Sequence, residues 1–271
     1  MGILTLTSGG EVLSKIIFSI LLSYAIFSRC LSNVPLKKFQ PNNSEQVLNY
    51  VKLFLPEKPI IIEAGAYDGQ DSLYISKIFP NALLYAFEPV PELYLKLYST
   101  VEGNPHITAV PYALSDKTGN ATFYLSVIND VPESVSSSSS LLPPNFPLEK
   151  YAPHVSFPSR IEVKAITIDD WARNANVDHI DFLWLDMQGY ELNTLMASDL
   201  AKNALVIWTE VEFIEAYKDQ YLFKDVLKWM HENNFELVGS NVDVFNLPSN
   251  SCWGDALFIK KTLFEHIVKS K

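Results

Sequence analysis

Residues 59–72, Pro59-Ile60-Ile61-Ile62-Glu63-Ala64-Gly65-Ala66-Tyr67-Asp68-Gly69-Gln70-Asp71-Ser72, constrain this chain more than any other stretch. Three consecutive isoleucines read as a short strand buried on both faces, because a half-exposed strand would alternate. The strand stops at an acid, Glu63; Gly65 and Gly69 follow, and Ser72 opens a helix-like run over residues 73–79. A buried strand, a glycine turn and a helix start together make a ligand site. The missing Cβ atoms let backbone approach a ligand closely, and the helix N-terminus offers unpaired N–H groups.

Charge selects the ligand. A dinucleotide loop wants G-x-G-x-x-G, whereas the frame here is Gly65-x-x-x-Gly69 with acids at Glu63 and Asp68. Acids on the lip of such a loop repel a pyrophosphate and favour a ligand with positive groups. S-adenosylmethionine (SAM), with its sulfonium and ammonium, suits it better than NAD. The loop alone would equally fit a plain strand-to-helix turn. A second acid breaks that tie: residues 82–87 read as the next buried strand, and Glu88-Pro89 ends it. Glu88 lies 19 residues past Gly69, close to the ~20 at which a second-strand acid takes ribose hydroxyls.

At 271 residues the chain suits one catalytic domain with an appendage. Hydrophobic residues make up 48% and charged ones 19%, enough for a sizeable core and against disorder. A net charge of −10 without a basic cluster argues against nucleic acid as a partner. Two cysteines, Cys30 and Cys252, exclude a disulfide framework or a cysteine metal cluster. The five histidines show no metal-ligand spacing, so no metal site is read.

Residues 1–33 form a separate hydrophobic segment. An apolar run over residues 16–27 is interrupted only by Ser19 and Ser23, and Lys15 and Arg29 bracket 13 residues. That falls short of the ~20 that span a bilayer, although snorkelling ends would let residues 12–31 just span. A signal-like segment and a helix packed on the domain are the alternatives. Arg29, Lys37 and Lys38 after the run place the catalytic body in the cytoplasm if the segment anchors it.

Residues 34–58 form a helical lead-in, with a helix from Ser44 that Pro56 ends. The catalytic domain spans residues 59–262, and residues 263–271 form a tail. Within it, residues 91–101 read as a helix and residues 107–110 as strand three, followed by Ala113-Leu114-Ser115-Asp116; residues 121–125 alternate as a strand. Residues 126–160 break the pattern with five consecutive serines and six prolines. An insertion of this length is a lid or binding loop rather than a linker. Residues 161–166 form a strand, Thr167 caps a short helix, and residues 180–186 form the fourth core strand. Residues 204–208, 235–238 and 256–259 are the later strands, with a helix over residues 222–231. This alternation predicts an α/β fold with helices on both faces of a mostly parallel seven-stranded sheet, the last strand antiparallel. Glu63, Glu88, Asp116, Asp186 and Glu210 all fall at or just past strand ends, where ligands lie in such sheets.

Residues 59–260 resemble the FkbM-type SAM-dependent methyltransferases. The matching pieces are Glu63-Ala64-Gly65-Ala66-Tyr67-Asp68-Gly69, Ala86-Phe87-Glu88-Pro89, Ala113-Leu114-Ser115-Asp116 and Ser139-Ser140-Leu141. Further on come Ile180-Asp181-Phe182-Leu183-Trp184-Leu185-Asp186-Met187-Gln188-Gly189-Tyr190-Glu191 and Gly254-Asp255-Ala256-Leu257-Phe258. The resemblance implies a Rossmann-like class I fold, SAM as cofactor, and O-methylation of a hydroxyl on a small molecule, glycan or lipid acceptor. Many family members read Lys-x-Asp-x-Glu-Gly at the fourth strand; here those Lys and Glu positions are Trp184 and Gln188. Both charges are lost together, so a neutral ring and amide stand where a charged pair is expected.

Methyl transfer to a hydroxyl needs alignment and a base within reach of the proton. Asp186 is the candidate base and a candidate SAM ligand, with Glu210 in reserve. The expected SAM-binding residues are Glu63, Gly65, Ala66, Asp68, Gly69, Ser72, Glu88, Pro89, Ala113, Leu114 and Asp116. Two other functions are kept: a SAM-binding module without catalysis, and a nucleotide-cofactor enzyme such as a dehydrogenase.

Overall fold

The structure is a computed structural model that describes residues 39–131, 135–145, 150–242, 244 and 251–269. The hydrophobic segment at residues 1–33 lies outside them. Among the described residues no helix is long and apolar enough to cross a membrane.

The isoleucine run does form an interior strand of the sheet. β1 (Ile60–Ala64) pairs in parallel with β2 (Leu83–Phe87) on one side and with β7 (Phe182–Leu185) on the other. Its alternating side chains feed two cores: Ile61 joins one hydrophobic cluster and Ile62 the other. Helices α1 (Ser44–Val51), α2 (Gln70–Ile78), α3 (Pro91–Val101) and α8 (Lys261–Lys269) cover the Ile61 face. The Ile62 face packs against α4 (Ile168–Ala175), α5 (Glu191–Met196), α6 (Asp199–Asn203) and α7 (Phe223–Glu232). Burial on both faces explains why β1 opens with three consecutive isoleucines.

The sheet is completed by β3 (Ile107–Val110), β8 (Val206–Glu212), β9 (Phe235–Ser240) and β10 (Trp253–Lys260), in the order β3-β2-β1-β7-β8-β10-β9. The final strand β10 inserts antiparallel between β8 and β9, as expected. The order reverses beside β1, so the crevice at the carboxyl ends of β1, β2 and β7 is the switch point. Register aligns those ends, since Ala64 lies opposite both Phe87 and Leu185. Gly65, Glu88 and Asp186 therefore emerge at one level.

Several boundaries differ from the sequence reading. β1 runs through Glu63 to Ala64, and α2 opens at Gln70 behind Gly69 in the left-handed region, two residues before Ser72. Helix α1 closes at Lys52 rather than at Pro56. β8 extends four residues beyond Trp208, which places Glu210 inside the strand opposite Asp255 rather than at its end. Asp116 follows β4 (Ala113–Leu114), which belongs to a second sheet of three strands with β5 (Gly119–Ile128) and β6 (Val155–Ile166). The five acids thus do not share one sheet edge.

The insert is also shorter than residues 126–160. β5 and β6 carry antiparallel pairing out to Ile128 and Val155, leaving residues 129–154 as the connection. Pro158 sits where the register shifts, at the place in a ladder where a missing N–H costs least. The serine run folds back on the edge of β5: Ser139 Oγ accepts from Ser126 N at 2.9 Å, and Ser140 bridges to Tyr124. Those hydrogen bonds, not composition, set the shape of this segment.

Candidate active site

At the end of β1 the chain turns through Gly65 with φ near 87°. Its N–H and that of Ala66 donate to Phe87 O at 3.1 and 3.0 Å, while Asp186 N donates to Ala64 O at 3.0 Å. These bonds draw three strand ends together so tightly that a Cβ on Gly65 would lie 1.9 Å from the carbonyl oxygen of Asp186. The glycine is required for that close approach.

A cleft of about 610 Å³, mouth included, opens above this junction. Gly65, Glu88, Pro89, Ala113, Leu114 and Asp186 line it, so six of the expected site residues converge. Glu88 is almost fully buried, and its two carboxylate oxygens accept from Val90 N (2.8 Å) and Tyr67 N (3.1 Å). Burial outweighs those bonds and pushes its carboxyl up to about 7.

Other expected residues stand behind the wall. Glu63 was expected on the lip of the loop, but lies buried within β1, where Ser72 Oγ donates to it at 2.5 Å. Burial raises its carboxyl to about 8, and a side chain enclosed within the sheet supplies no charge to the rim. The strand continues one residue further than its composition suggested, which turns that side chain inward. Asp68 accepts from Gln70 N in the turn, and Ala66, Gly69 and Ser72 pack beneath it. Asp116 accepts from the hydroxyl of Tyr190 at 2.8 Å, and Tyr190 in turn lines the cleft.

Asp186 and Glu210 are brought together by Gln188, noted in the sequence only as a neutral amide where the resemblance implied a charge. Gln188 Nε2 donates at 2.8 Å to both Asp186 Oδ1 and Glu210 Oε2, and Gln188 Oε1 accepts from Tyr217 OH at 3.0 Å. Desolvation raises the proton affinity of Asp186, although its side chain reaches open cleft space. Glu210 is raised further by burial and by the neighbouring charges of Asp186 and Glu212. Glu191 braces the loop by accepting from Met187 N at 2.6 Å, and burial lifts it to about 8. The sequence signal for this network was the amide at Gln188, where the family resemblance implied a glutamate; Trp184 packs instead against Phe182 and Trp208.

The cleft also includes Tyr67, Met187, Ser136 and Ser139, none of which charge or glycine spacing could nominate. Tyr67 OH donates to Val135 O at 2.9 Å, tying the β5–β6 connection across the opening.

The Methyltransferase FkbM domain model matches residues 63–237. The chain belongs to the FkbM methyltransferase family. Curated relatives agree: a 2-O-methyltransferase NoeI from Sinorhizobium fredii is 28% identical over 189 residues, covering 69% of this chain and 76% of the relative. Methyltransferase sdnD from Sordaria araneosa is 25% identical over 213 residues, covering 68% and 78%. Among solved structures, a precorrin-6y C5,15-methyltransferase from Geobacter metallireducens aligns at 11% identity and TM-score 0.41, covering 83% of this chain and 93% of that one. The fold assignment rests on the strand order itself. This FkbM-family methyltransferase thus gathers Gly65, Glu88 and Asp186 at three aligned strand ends.

Its buried acids carry a consequence for stability. Glu63, Glu88 and Glu191 are held at about 8, 7 and 8, against ~4.3 in an unfolded chain. The folded form retains protons that the unfolded chain releases, so their stabilising contribution is complete below about pH 4 and lost as pH rises through 7 to 8. The melting temperature of the unliganded protein is expected to fall by on the order of 5 °C or more between pH 6 and pH 8.5. Gln188→Glu, which removes the amide between two carboxylates, is expected to steepen that fall. Differential scanning fluorimetry across pH measures both, and a flat profile would contradict the protonated state of these groups.

Proposed function

We propose that this methyltransferase binds SAM in the cleft at the ends of β1, β2 and β7, and methylates a hydroxyl oxygen of a small-molecule, glycan or lipid acceptor. The residues fit that cofactor: Gly65 offers a backbone cradle that a Cβ would fill, and Glu88 presents a buried carboxylate to the cleft. SAM supplies an electrophilic methyl group on a sulfonium. Glu88 takes the ribose hydroxyls, while Ala113, Leu114 and Tyr190 flank the base. Asp186 would accept the proton of the acceptor hydroxyl as its oxygen bonds the methyl carbon and the carbon–sulfur bond breaks to leave the neutral thioether, and Gln188 holds the carboxylate in orientation. The observation that carries this reading is the Asp186 carboxylate at the end of β7, standing in the cleft wall with Gly65 and Glu88, where desolvation raises its proton affinity. The hydroxyl acceptor is supported by the 2-O-methyltransferase among the relatives.

Labelled SAM with glycan and lipid extracts tests the reading: label is expected in a methyl ether, and SAM bound without transfer to any acceptor would favour a binding module. Calorimetry with SAM and NAD separates it from a nucleotide-cofactor enzyme. Glu88→Ala is expected to weaken binding of S-adenosylhomocysteine (SAH) by about tenfold or more, the value of one or two charge-assisted hydrogen bonds. An unchanged affinity would remove the ribose assignment. Attachment of the catalytic body to a membrane through residues 12–31, facing the cytoplasm, belongs to the same proposal; deletion of residues 1–33 is expected to shift the protein from the membrane to the soluble fraction.

A further inference from the structure

The stretch Ser139-Ser140-Leu141 reaches the site from the connection between β5 and β6. Ser139 and Leu141 line the cleft, while Ser140 between them is fully buried. Its backbone pairs with Tyr124 of β5 in both directions, at 2.8 and 3.1 Å. Its hydroxyl accepts from Leu142 N at 3.0 Å, which leaves the hydroxyl hydrogen for one further partner: Ser140 Oγ donates to Gln188 O at 2.8 Å. That carbonyl belongs to a residue with φ near 55°, in the left-handed region that a glutamine adopts only when its surroundings impose it. A second contact holds the other end of the same residue. The buried Tyr217 hydroxyl shares its one hydrogen between Gln188 Oε1 at 3.0 Å and Ser138 O at 2.8 Å. Its ring lies against Gly189, where an added Cβ would come 3.3 Å from it. Burial, then the charges of Glu210, Glu212, Glu191 and Asp186, raise the proton affinity of this phenol, so it remains a donor.

We propose that Ser140 and Tyr217 are positioning residues for the methyl transfer, clamping Gln188 by its backbone and side-chain carbonyls so that its amide is aimed at Asp186. The proposal rests on the methyl-transfer reading above, since the clamp serves the reaction only if Asp186 takes the proton. Neither Ser140 nor Tyr217 lines the cleft, so each acts through Gln188. With both of its carbonyls met by hydroxyl donors, Gln188 turns Nε2 to the acids, and it donates at 2.8 Å to Asp186 and to Glu210. The reverse orientation would set an amide oxygen against two carboxylates. An N–H aimed at a carboxylate favours its ionised form, the form able to accept a proton. Desolvation acts the opposite way, and so do the acids that face Asp186: Asp71 from α2, Glu191 at the start of α5, Glu210 and Glu212 from β8, and Asp255 from β10. The clamped amide is what offsets them.

The test follows the aspartate carboxyl carbons of the isotope-labelled full chain by NMR across pH, with the Asp186 signal assigned through Asp186→Asn. Ser140→Ala and Tyr217→Phe are each expected to raise the apparent midpoint of Asp186 by about one pH unit, the size of one weakened charge-assisted hydrogen bond. In a Gln188→Met background, which removes the amide and keeps the chain length, neither substitution is expected to move the midpoint further. A purely structural role would lower the melting temperature in both backgrounds and move the midpoint in neither. Transfer of labelled methyl from SAM to the glycan and lipid extracts is read on the same variants. Its acid limb is expected to move up with the midpoint, so that activity lost at low pH returns at high pH, while SAH affinity stays within about threefold. Tyr217→Phe removes one oxygen and keeps the packed ring, so it carries the test if Ser140→Ala does not fold. An unmoved midpoint, or the same shift added in the Gln188→Met background, would overturn the proposal and leave the methyl-transfer reading standing. A midpoint that moves while the acid limb of transfer stays in place would remove Asp186 as the base, and this inference with it.

Discussion

Asp186→Asn is expected to lower turnover by about 10²- to 10⁴-fold while SAH affinity changes by less than about tenfold. The amide is nearly isosteric, and it removes the ability to take a proton. Asp186 stands at the end of β7 with its backbone N–H tied to Ala64 O, so the side chain is carried by the sheet rather than by a mobile loop. Desolvation raises its proton affinity, which suits a group that must accept a proton from a weakly acidic hydroxyl. Single-turnover transfer of labelled methyl, read beside SAH calorimetry, separates the two roles assigned to this residue. A collapse of SAH binding with proportionate loss of rate would make Asp186 a cofactor ligand, and Glu210, linked to it through Gln188, would become the candidate base. The pH dependence of turnover gives a further check: activity is expected to rise as Asp186 ionises and to lose that limb in the Asn variant.

Gly65→Ala is expected to destabilise the protein by about 3 kcal/mol or more, and to abolish SAH binding in whatever still folds. Two penalties add. At φ near 87° any Cβ is strained, a cost of ~1–3 kcal/mol, and here the added carbon would sit 1.9 Å from a carbonyl oxygen at the end of β7. The atoms it would meet are all backbone of Asp186, so no side chain can swing away, and β1 and β7 would have to separate at the site. Gly103 is the internal control. It has a similar φ of 83°, but a Cβ added there would meet nothing within 4 Å, so Gly103→Ala is expected to cost only the strain, about 1 kcal/mol. Chemical denaturation of both variants tests the distinction. Equal destabilisation would mean that close packing against Asp186 contributes nothing.

The strand run, the glycine bend and Glu88 were legible because each depends on local sequence. A doubly buried strand needs consecutive β-branched residues, and a sharp turn beside a strand end needs glycine. Glu63 was misread for the same reason: sequence shows an acid beside a glycine, but not the direction its side chain takes when the strand runs one residue longer. Only the bounds of the serine-rich insert were misjudged: β5 and β6 pair out to Ile128 and Val155, and Ser139 and Ser140 bond back to Ser126 and Tyr124 of β5, contacts that composition does not display.

The sequence by itself determined the alternating α/β order, the seven strands with an antiparallel last one, the identity of the cleft acids Glu88 and Asp186, and membership of the FkbM family. These follow from periodicity and short-range spacing, which a chain carries wherever it goes. Only the tertiary structure decided that Gln188 links Asp186 to Glu210, that Glu63 is buried within β1, and that Trp184 meets Trp208. The physical reason is that charge, burial and ring packing depend on neighbours distant along the chain, and pairing of β1, β7, β8 and β10 is what makes them neighbours.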